Sequence, residues 1–371
     1  MSDRIPFLSL VPRADGDAGD VRAAIDRVVA RGWFVLGPEV DAFEQEFAAA
    51  SGAPHAVAVG NGTDAIALIL RALGIGPGDE VITTPLSAAY TALAILMAGA
   101  RPVFADVDPE RLTLDPARAA AAVGPRTRAI LPVHLYGQPA DMRAIERVAA
   151  AHDLAIVEDC CQAHLATSDG RPVGTIGAAG AFSFYPTKNL GALGDGGAIV
   201  TRDRALADRL RRLRNGGQTD RYRHQEAGVN SRLDEVQAAV LRARLPRLPA
   251  WTARRRALAA LYRRRIGDGA TAAPVPERDA GHVYHLFVVR SAARTEFQTH
   301  LAACGIETLV HYPVAVPRQP AMAGVDPADC PIAVRACDEV VSLPLHPALA
   351  DADVDRIADA VHAFAPRPQL S

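Results

Sequence analysis

The only lysine in the chain, Lys188, is the residue with the most informative chemistry. Lysine and arginine together number 40, and every one except Lys188 is arginine. A lysine amine can lose its proton and attack a carbonyl carbon, whereas an arginine guanidinium stays charged. Lys188 follows an aromatic run and precedes a glycine-rich return from Gly191 to Gly197, where small residues leave room for a planar group. An exposed loop lysine is one interpretation; we favour a lysine that forms a Schiff base with a carbonyl cofactor.

A pair of carboxylates, Glu158 and Asp159, ends another apolar run. Side chains alternate along a strand, so we expect these two on opposite faces and only one of them in a site. Open α/β sheets bind ligands at the carboxyl edge of their strands. An ordinary strand end with capping carboxylates is the alternative. Cys160, Cys161 and His164 lack the spacing typical of metal ligands, so we expect no metal site.

A glycine turn, Gly60-Asn-Gly-Thr-Asp64, joins a predicted strand to a predicted helix. The N-terminus of a helix directs N–H groups and positive charge toward one point, which suits a phosphate. The turn also matches the loose dinucleotide fingerprint. The acid that should end the next strand is missing, because Asp79 and Glu80 precede it. A nicotinamide-dependent oxidoreductase is therefore a weaker alternative, and an ordinary helix cap is another.

Short apolar runs alternate with helical patterns up to about residue 245, which predicts an α/β fold with a mostly parallel sheet. The predicted strands are Ala56–Val59, Glu80–Thr83, Pro102–Ala105, Ala129–Val133, Leu154–Glu158, Ala181–Tyr185 and Ala198–Thr201. The predicted helices are Asp64–Leu73, Ala88–Ala98, Asp141–His152 and Arg204–Arg214. Beyond Leu245–Pro249 we predict a smaller α+β region with helices Trp251–Ile266 and Thr295–Cys304 and strands His282–Val289 and Val340–Leu343.

Composition excludes several classes of protein. The 371 residues carry a formal net charge of -2, so no overall field attracts nucleic acid or an anionic membrane. The longest apolar run is far shorter than the roughly 18 residues that a membrane span needs. The N-terminal residues do not resemble a signal peptide. Five cysteines, an odd number, favour a reducing cytoplasm over a disulfide framework.

Taken together, these motifs resemble the DegT-type family of pyridoxal-phosphate-dependent sugar aminotransferases, which has the aspartate-aminotransferase fold. The resemblance covers nearly the whole chain. The segments that carry it are Ile5–Leu8, Gly32–Val40, Gly60–Ala65, Gly74–Val81, Pro132–Gln138, Glu158–His164, Ser183–Gly197, Gly228–Asp234 and His311–Pro313. The resemblance implies a large cofactor-binding α/β domain over 1–245, with an N-terminal arm over about 1–20. It implies a small α+β domain over 246–371.

The resemblance also implies individual roles. Lys188 matches the Schiff-base lysine, and Asp159 matches the carboxylate that faces the pyridine nitrogen. The other matches to cofactor contacts are Gly62, Thr63 and Ser183 for the phosphate and Gln162 for the ring hydroxyl. Asn230 matches an asparagine that reaches the phosphate from a partner subunit, which implies a homodimer with shared active sites.

Two departures from the family pattern concern contacts to the ring and to the substrate. Ala88 stands where the family has an aromatic residue that stacks on the cofactor. Tyr90 either replaces that aromatic residue or packs in the core. His311 and Tyr312 match substrate contacts, but the segment that follows them departs from the family and contains Arg318, a candidate partner for an anion.

The implied activity is transfer of an amino group from glutamate to a nucleotide-linked keto-deoxysugar. A dTDP-3-keto-6-deoxyhexose is the substrate we favour. The alternatives are a 4-keto sugar, a keto-inositol and a non-catalytic or regulatory protein that binds pyridoxal phosphate. A sugar dehydratase of the same fold has histidine in place of the lysine, so Lys188 argues against it. We expect no nucleic-acid or membrane partner and a cytoplasmic location.

Overall fold

A computed structural model describes residues 4–10, 17–268, 270–325 and 329–366. The strands in these residues are β1 (His55–Val59), β2 (Glu80–Thr83), β3 (Arg101–Phe104), β4 (Thr127–Leu131), β5 (Ala155–Asp159), β6 (Thr167–Ser168), β7 (Arg171–Pro172), β8 (Ala179–Ser183), β9 (Gly197–Thr201), β10 (Gln218–Asp220), β11 (Arg223–His224), β12 (Ala273–Pro274), β13 (Phe287–Arg290) and β14 (Val340–Leu343). The helices are α1 (Asp17–Arg31), α2 (Pro38–Ala50), α3 (Gly62–Ala72), α4 (Tyr90–Met97), α5 (Pro116–Ala121), α6 (Met142–His152), α7 (Arg204–Leu213), α8 (Glu235–Arg244), α9 (Leu248–Ile266), α10 (Arg294–Ala303), α11 (Pro331–Glu339) and α12 (Asp351–Ala363).

The main sheet contains seven strands in the order β1-β9-β8-β5-β4-β2-β3. All of them correspond to strands predicted from the sequence. Neighbours pair in parallel except at β9, which is antiparallel to both β1 and β8. The prediction of a mostly parallel sheet is therefore confirmed. The carboxyl ends of β4, β5 and β8 lie at one edge, which places the segments that follow them close together.

Both faces of this sheet are buried, and alternating side chains supply the two cores. Val57 and Val59 of β1 belong to one apolar cluster, which helices α3, α4 and α7 help to form. Ala56 and Ala58 belong to a second cluster, to which α2 and α8 contribute. Burial on both faces is why these strands read as nearly continuous apolar runs rather than alternating ones.

The C-terminal region has a separate antiparallel sheet in the order β12-β13-β14. Residues of α9, α10 and α12 form an apolar core there. The predicted strand over 282–289 is shorter than expected, since β13 begins only at Phe287. A further cluster combines Phe104 and Val133 with Val288 and Ala333, so the two regions pack against each other. The division at residue 245 stays a prediction.

The N-terminal arm over about 1–20 stays a prediction, because only part of it is described. Helix α1 already begins at Asp17, and residues 1–3 and 11–16 of the arm lie outside the described residues. Ile5 pairs with Ile306 and is buried in the C-terminal core. The described start of the arm is thus anchored on the smaller region. Among the helices of the described residues, none has both the length and the apolar character that crossing a bilayer requires.

Candidate active site

Lys188 lies in the turn between β8 and β9, at the carboxyl edge of the sheet. Its amide donates a hydrogen bond of 2.8 Å to the carbonyl oxygen of Tyr185. Burial lowers the pKa of the Lys188 amine, while the nearby Cys161 and Asp159 oppose this effect and raise it. The net direction is downward, so the neutral, nucleophilic amine is more populated than in a free lysine. A neutral amine is the form that can attack a carbonyl carbon, as the predicted Schiff base requires.

Asp159 is the last residue of β5, and both of its carboxylate oxygens are engaged. Oδ2 accepts a hydrogen bond of 2.8 Å from the hydroxyl of Thr91, and Oδ1 accepts one of 3.1 Å from the amide of Cys161. The hydroxyl of Ser87 lies 3.4 Å from that of Thr91. These contacts fix the orientation of the carboxylate while leaving it able to accept a further hydrogen bond. Sequence reasoning missed Thr91, although it lies beside Tyr90 in a segment that was singled out.

Glu158 points to the opposite face of the sheet, as predicted. Its carboxylate accepts hydrogen bonds from the amides of Gly174, at 2.8 Å, and Gly177, at 2.7 Å. It also lies 3.2 Å from Nε2 of His134. Nδ1 of His134 accepts a hydrogen bond from the amide of Ala140, so the ring proton is on Nε2. Nε2 therefore donates a hydrogen bond to the carboxylate of Glu158. Glu158 therefore supports the backbone of residues 174–177.

A metal ion is not needed to explain the cluster of His134, Glu158 and Cys160. Their candidate donor atoms all lie within 4.8 Å of one another, and all three residues are buried. The hydrogen bonds of His134 and Glu158 described above already account for this arrangement. Among the residues that the structure describes, Cys161 and His164 do not belong to a cluster of this kind.

The start of α3 provides a cradle for an anion. Asn61 caps the helix, with its side chain accepting from the amide of Asp64 at 2.8 Å. A Cβ atom placed on Gly62 would lie 2.6 Å from Sγ of Cys161 and 2.9 Å from Cβ of Ser183. Only glycine therefore fits at this point of contact. The first amides of the helix lie here as well, and they lack carbonyl partners within the helix. Thr63 is the next residue of the helix. Both predicted phosphate residues of this turn thus lie at the helix start, and Gly62 lies close to Ser183.

Gln162 connects the large sheet to the C-terminal region. Its Oε1 accepts from the amide of Tyr136 at 2.7 Å, and its Nε2 donates to the hydroxyl of Tyr312 at 3.0 Å. The hydroxyl of Tyr136 donates to the carbonyl oxygen of His311. Nδ1 of His311 lies 2.9 Å from the hydroxyl of Ser342. The structure therefore brings three predicted site residues, Gln162, His311 and Tyr312, into one network.

Burial controls the charge of the groups in this network. It raises the pKa of Tyr312 to about 12 and lowers that of His311 to about 4. At neutral pH the tyrosine is therefore protonated and the histidine is neutral. Both residues present hydrogen-bonding groups without a net charge.

Two further histidines lie near Lys188, and sequence reasoning did not assign them to the site. His164, considered there only as a metal ligand, is buried, and burial lowers its pKa to about 3. Its Nε2 lies 2.8 Å from the carbonyl oxygen of Ser183. Burial also lowers the pKa of His285 well below its usual value, and its Nδ1 lies 3.3 Å from Oδ1 of Asn189. A positive charge on Lys188 also lowers the pKa of both rings. Both histidines are therefore neutral at neutral pH.

The remaining predicted residues lie at the surface of the chain. Tyr90 is 65% exposed, so the interpretation that it packs in the core is wrong. Its hydroxyl acts on the pKa of Tyr312, which places it beside the network. Asn230 is exposed, next to Ser231, whose hydroxyl donates to Asp64 at 2.6 Å.

Arg318 is also exposed, at the end of a short 3-10 helix over Val316–Arg318. Its charge acts on Cys337. The structure does not place its guanidinium in the network around Gln162, and its part in binding substrate stays a prediction.

The fold and site define an aminotransferase, and comparison with known proteins identifies its family. Residues 17–362 match the DegT/DnrJ/EryC1/StrS aminotransferase family. The chain belongs to this family and is a sugar aminotransferase.

Individual relatives support this assignment over nearly the full length. The chain is 49% identical to the dTDP-3-amino-3,4,6-trideoxy-alpha-D-glucose transaminase of Streptomyces venezuelae, covering 98% of this chain and 97% of the relative. It is 47% identical to the erythromycin biosynthesis sensory transduction protein EryC1 of Saccharopolyspora erythraea, covering 97% and 100%. The crystal structure of S. venezuelae DesV in complex with a ketimine intermediate aligns with a TM-score of 0.94 at 48% identity, covering 97% of this chain and 98% of that one.

The residues at this site fit pyridoxal phosphate, the cofactor that the family implies. The cradle formed by Gly62 and Ser183 suits a phosphate, because a side chain at Gly62 would fill it. Lys188 offers an amine whose pKa is lowered, and Asp159 offers a held carboxylate for a protonated ring nitrogen. A contact between the Gln162 amide and the ring hydroxyl stays a prediction.

Proposed function

We propose that this enzyme transfers an amino group from glutamate to the keto carbon of a dTDP-linked 3-keto-6-deoxyhexose, using pyridoxal phosphate. The observation that carries the proposal is the 49% identity, over 98% of the chain, to a transaminase that forms a dTDP-3-amino sugar. The lysine and carboxylate that such chemistry needs lie at one edge of the sheet. The alternatives are a 4-keto sugar and a keto-inositol.

Each site residue has a defined task in this proposal. When bound, pyridoxal phosphate supplies an aldehyde that condenses with amines and a ring that withdraws electrons. Lys188 holds the cofactor and then, as a neutral amine, takes a proton at Nζ and returns it. Asp159 would accept a hydrogen bond from the ring nitrogen and keep it protonated. Thr91 keeps the carboxylate of Asp159 in position for that contact.

The other site residues bind and orient. The start of α3, with Gly62 and Thr63, holds the phosphate together with Ser183. His311 and Tyr312 contact the sugar as uncharged hydrogen-bonding groups. They therefore do not attract an anion in addition to the phosphate of the cofactor. Arg318 is the candidate partner for a charged part of the substrate.

The proposed assembly is a homodimer in which Asn230 completes the partner's phosphate site. Large apolar side chains at the surface of the single chain support a partner subunit. Trp33 is 55% exposed and Phe34 is 50% exposed. All five cysteines are free thiols, which supports the cytoplasm as the location of the enzyme.

The test uses purified enzyme with glutamate and a panel of keto substrates, followed by mass spectrometry. We expect an amino sugar from a dTDP-3-keto-6-deoxyhexose and little product from a 4-keto sugar or a keto-inositol. A preference for either of those two would overturn the substrate assignment. Reduction with borohydride and peptide mapping should find the cofactor on Lys188.

Two variants test the role of the lysine. Lys188→Ala should lose all turnover because it removes the amine, and Lys188→Arg should be equally inactive because its guanidinium stays charged. Arg202→Ala, which changes an exposed cation elsewhere, should keep full activity. Turnover by Lys188→Arg would contradict the role of a neutral amine.

A regulatory function is the second candidate, and the name of the S. erythraea relative, a sensory transduction protein, favours it. A protein with that function alone would bind the cofactor without turning over glutamate. Formation of 2-oxoglutarate from glutamate in a single half-reaction distinguishes the two functions without requiring the correct sugar.

A further inference from the structure

A cleft lies away from the site around Lys188. Helix α6 and the β6–β7 hairpin form one of its walls, and helix α9 and residues 278–281 form the other. Its volume is about 720 Å³. No residue assigned above to the cofactor or substrate site lines it. Five arginines do: Arg111, Arg143, Arg147, Arg256 and Arg278.

Most of these guanidinium groups have no carboxylate partner among the residues that the structure describes. Within the ranges of the chain that the structure describes, only Arg278 of the five forms an ion pair, with Glu110. Arg111 donates instead to the carbonyl oxygens of Pro139, at 3.1 Å, and Arg278, at 3.2 Å. Arg256 donates to a carbonyl oxygen at 2.9 Å. These contacts hold the side chains in place without neutralising their charge.

Three carboxylates also line the cleft, and two of them accept hydrogen bonds from nearby backbone amides. Asp141 caps α6 by accepting from the amide of Ala144 at 3.0 Å. Asp279 accepts from the amide of Gly281 at 2.8 Å. With Asp169 they are three carboxylates against the four arginines that Glu110 does not pair, so the lining keeps a positive surplus of one charge. An anionic ligand would balance this surplus and engage guanidinium groups that have only carbonyl partners or none among the described residues.

We propose that this arginine cleft binds a diphosphate group, as inorganic pyrophosphate or as part of a nucleoside diphosphate. The planar guanidinium fork matches phosphate oxygens in pairs. Arg143 and Arg147 are four residues apart on α6, so they lie on one face of the helix and can act together. A cleft of this volume falls in the range of small-molecule sites.

The cleft is joined to the active site through residues 136–138. The side chain of Gln138 accepts from the amide of Arg278 at 2.7 Å and donates to the carbonyl oxygen of Arg111 at 3.3 Å. Two residues earlier, the amide of Tyr136 donates to Gln162 and its hydroxyl donates to the carbonyl oxygen of His311. A ligand that moves Arg111 or Arg278 therefore acts on the backbone that carries Tyr136.

Calorimetric titration of the cofactor-saturated enzyme tests the proposal, with pyrophosphate and dTDP as separate probes. The variant is Arg143→Gln/Arg147→Gln, which keeps good helix formers on α6. The control is Arg202→Gln/Arg264→Gln, which removes two exposed arginines elsewhere and causes the same change in net charge. We expect the first variant to bind at least tenfold more weakly than the control, with the wild-type affinity falling as salt is added.

The tighter of the two probes identifies the source of the diphosphate. If neither probe binds the wild-type enzyme, or if the Arg143→Gln/Arg147→Gln variant binds as tightly as the control, the proposal is wrong. Binding is measured directly, so the result does not depend on which sugar the enzyme aminates.

Discussion

Among single residues, Lys188 shows how two opposing influences set the pKa of an amine. Removal from water disfavours the charged form, while the Asp159 carboxylate favours it. Burial and the Asp159 charge also raise the pKa of the Cys161 thiol well above its usual value, so this thiol stays protonated beside the amine. A neutral thiol is a poor nucleophile, which leaves Lys188 as the reactive group.

Substitution of Thr91 tests how far the orientation of Asp159 depends on one hydroxyl. Thr91→Val keeps the shape of the side chain but removes the donor at 2.8 Å. Because hydrogen bonds to charged groups contribute about 1.5–3 kcal/mol, we expect pyridoxal phosphate to bind at least about tenfold more weakly. Cofactor affinity can be measured by fluorescence titration of the apoenzyme.

Thr91→Ser serves as the matched control, since it retains the hydroxyl and loses only a methyl group. It should bind the cofactor nearly as tightly as the wild type. Equal affinities for Thr91→Val and Thr91→Ser would show that the hydroxyl does not position Asp159.

At the scale of elements, the site depends on where helix α3 begins relative to β5 and β8. Gly62→Ala would place a methyl group 2.6 Å from Sγ of Cys161 and 2.9 Å from Cβ of Ser183. The start of the helix must then shift away from β8. We expect cofactor affinity to fall by at least tenfold, because displaced amides lose charge-assisted contacts to the phosphate.

Gly19→Ala is the control for this substitution. Gly19 lies on α1 with no neighbouring atom within 4 Å of an added Cβ. Its replacement should leave cofactor affinity unchanged and should slightly favour the helix. Retention of wild-type affinity by Gly62→Ala, measured in the same titration, would rule out a phosphate cradle at this position.

The sequence identified the strands of the main sheet better than it identified the helices around it. Strands buried on both faces give continuous apolar runs, and all seven were recognised within about two residues of their observed ends. Helix α2 was missed, since its inward face includes Glu39 and Glu44, which interrupt the apolar pattern. Both are buried and paired with arginines, as in the ion pair between Glu39 and Arg242. Such pairing depends on tertiary structure and leaves no local signal.

The same limit applies to the site. Lys188, Asp159 and Gly62 stood out because their motifs are local. The contact between Thr91 and Asp159 joins residues 68 positions apart and depends on how α4 packs against α3, β2 and β3. The roles of His164 and His285 likewise require knowledge of their burial, which their sequence neighbours do not reveal.

For the molecule as a whole, buried neutral histidines make stability depend on pH. Burial lowers the pKa of His164 and His282 to about 3 and that of His311 to about 4. The unfolded chain therefore binds protons below about pH 6.5 that the native state does not. Stability should fall as the pH drops from about 7 to about 5, by about 2 kcal/mol for each such histidine.

Urea unfolding at the two pH values measures this effect. His282→Asn removes one of the three groups while keeping an acceptor for the amide of Tyr284, which now bonds to Nδ1 at 3.0 Å. Its loss of stability between the two pH values should be smaller than that of the wild type by about 2 kcal/mol. An unchanged difference would mean that His282 titrates alike in the native and unfolded states.

The solitary lysine also makes the chain a substrate with one cleavage point for a lysine-specific endoprotease. The bond after Lys188 precedes Asn189, which is only 5% exposed and whose side chain donates to the carbonyl oxygen of Val283 at 3.1 Å. Cutting there requires this turn to detach from the C-terminal region. The rate of a single proteolytic nick therefore reports how often the active site opens, with no label attached to the enzyme.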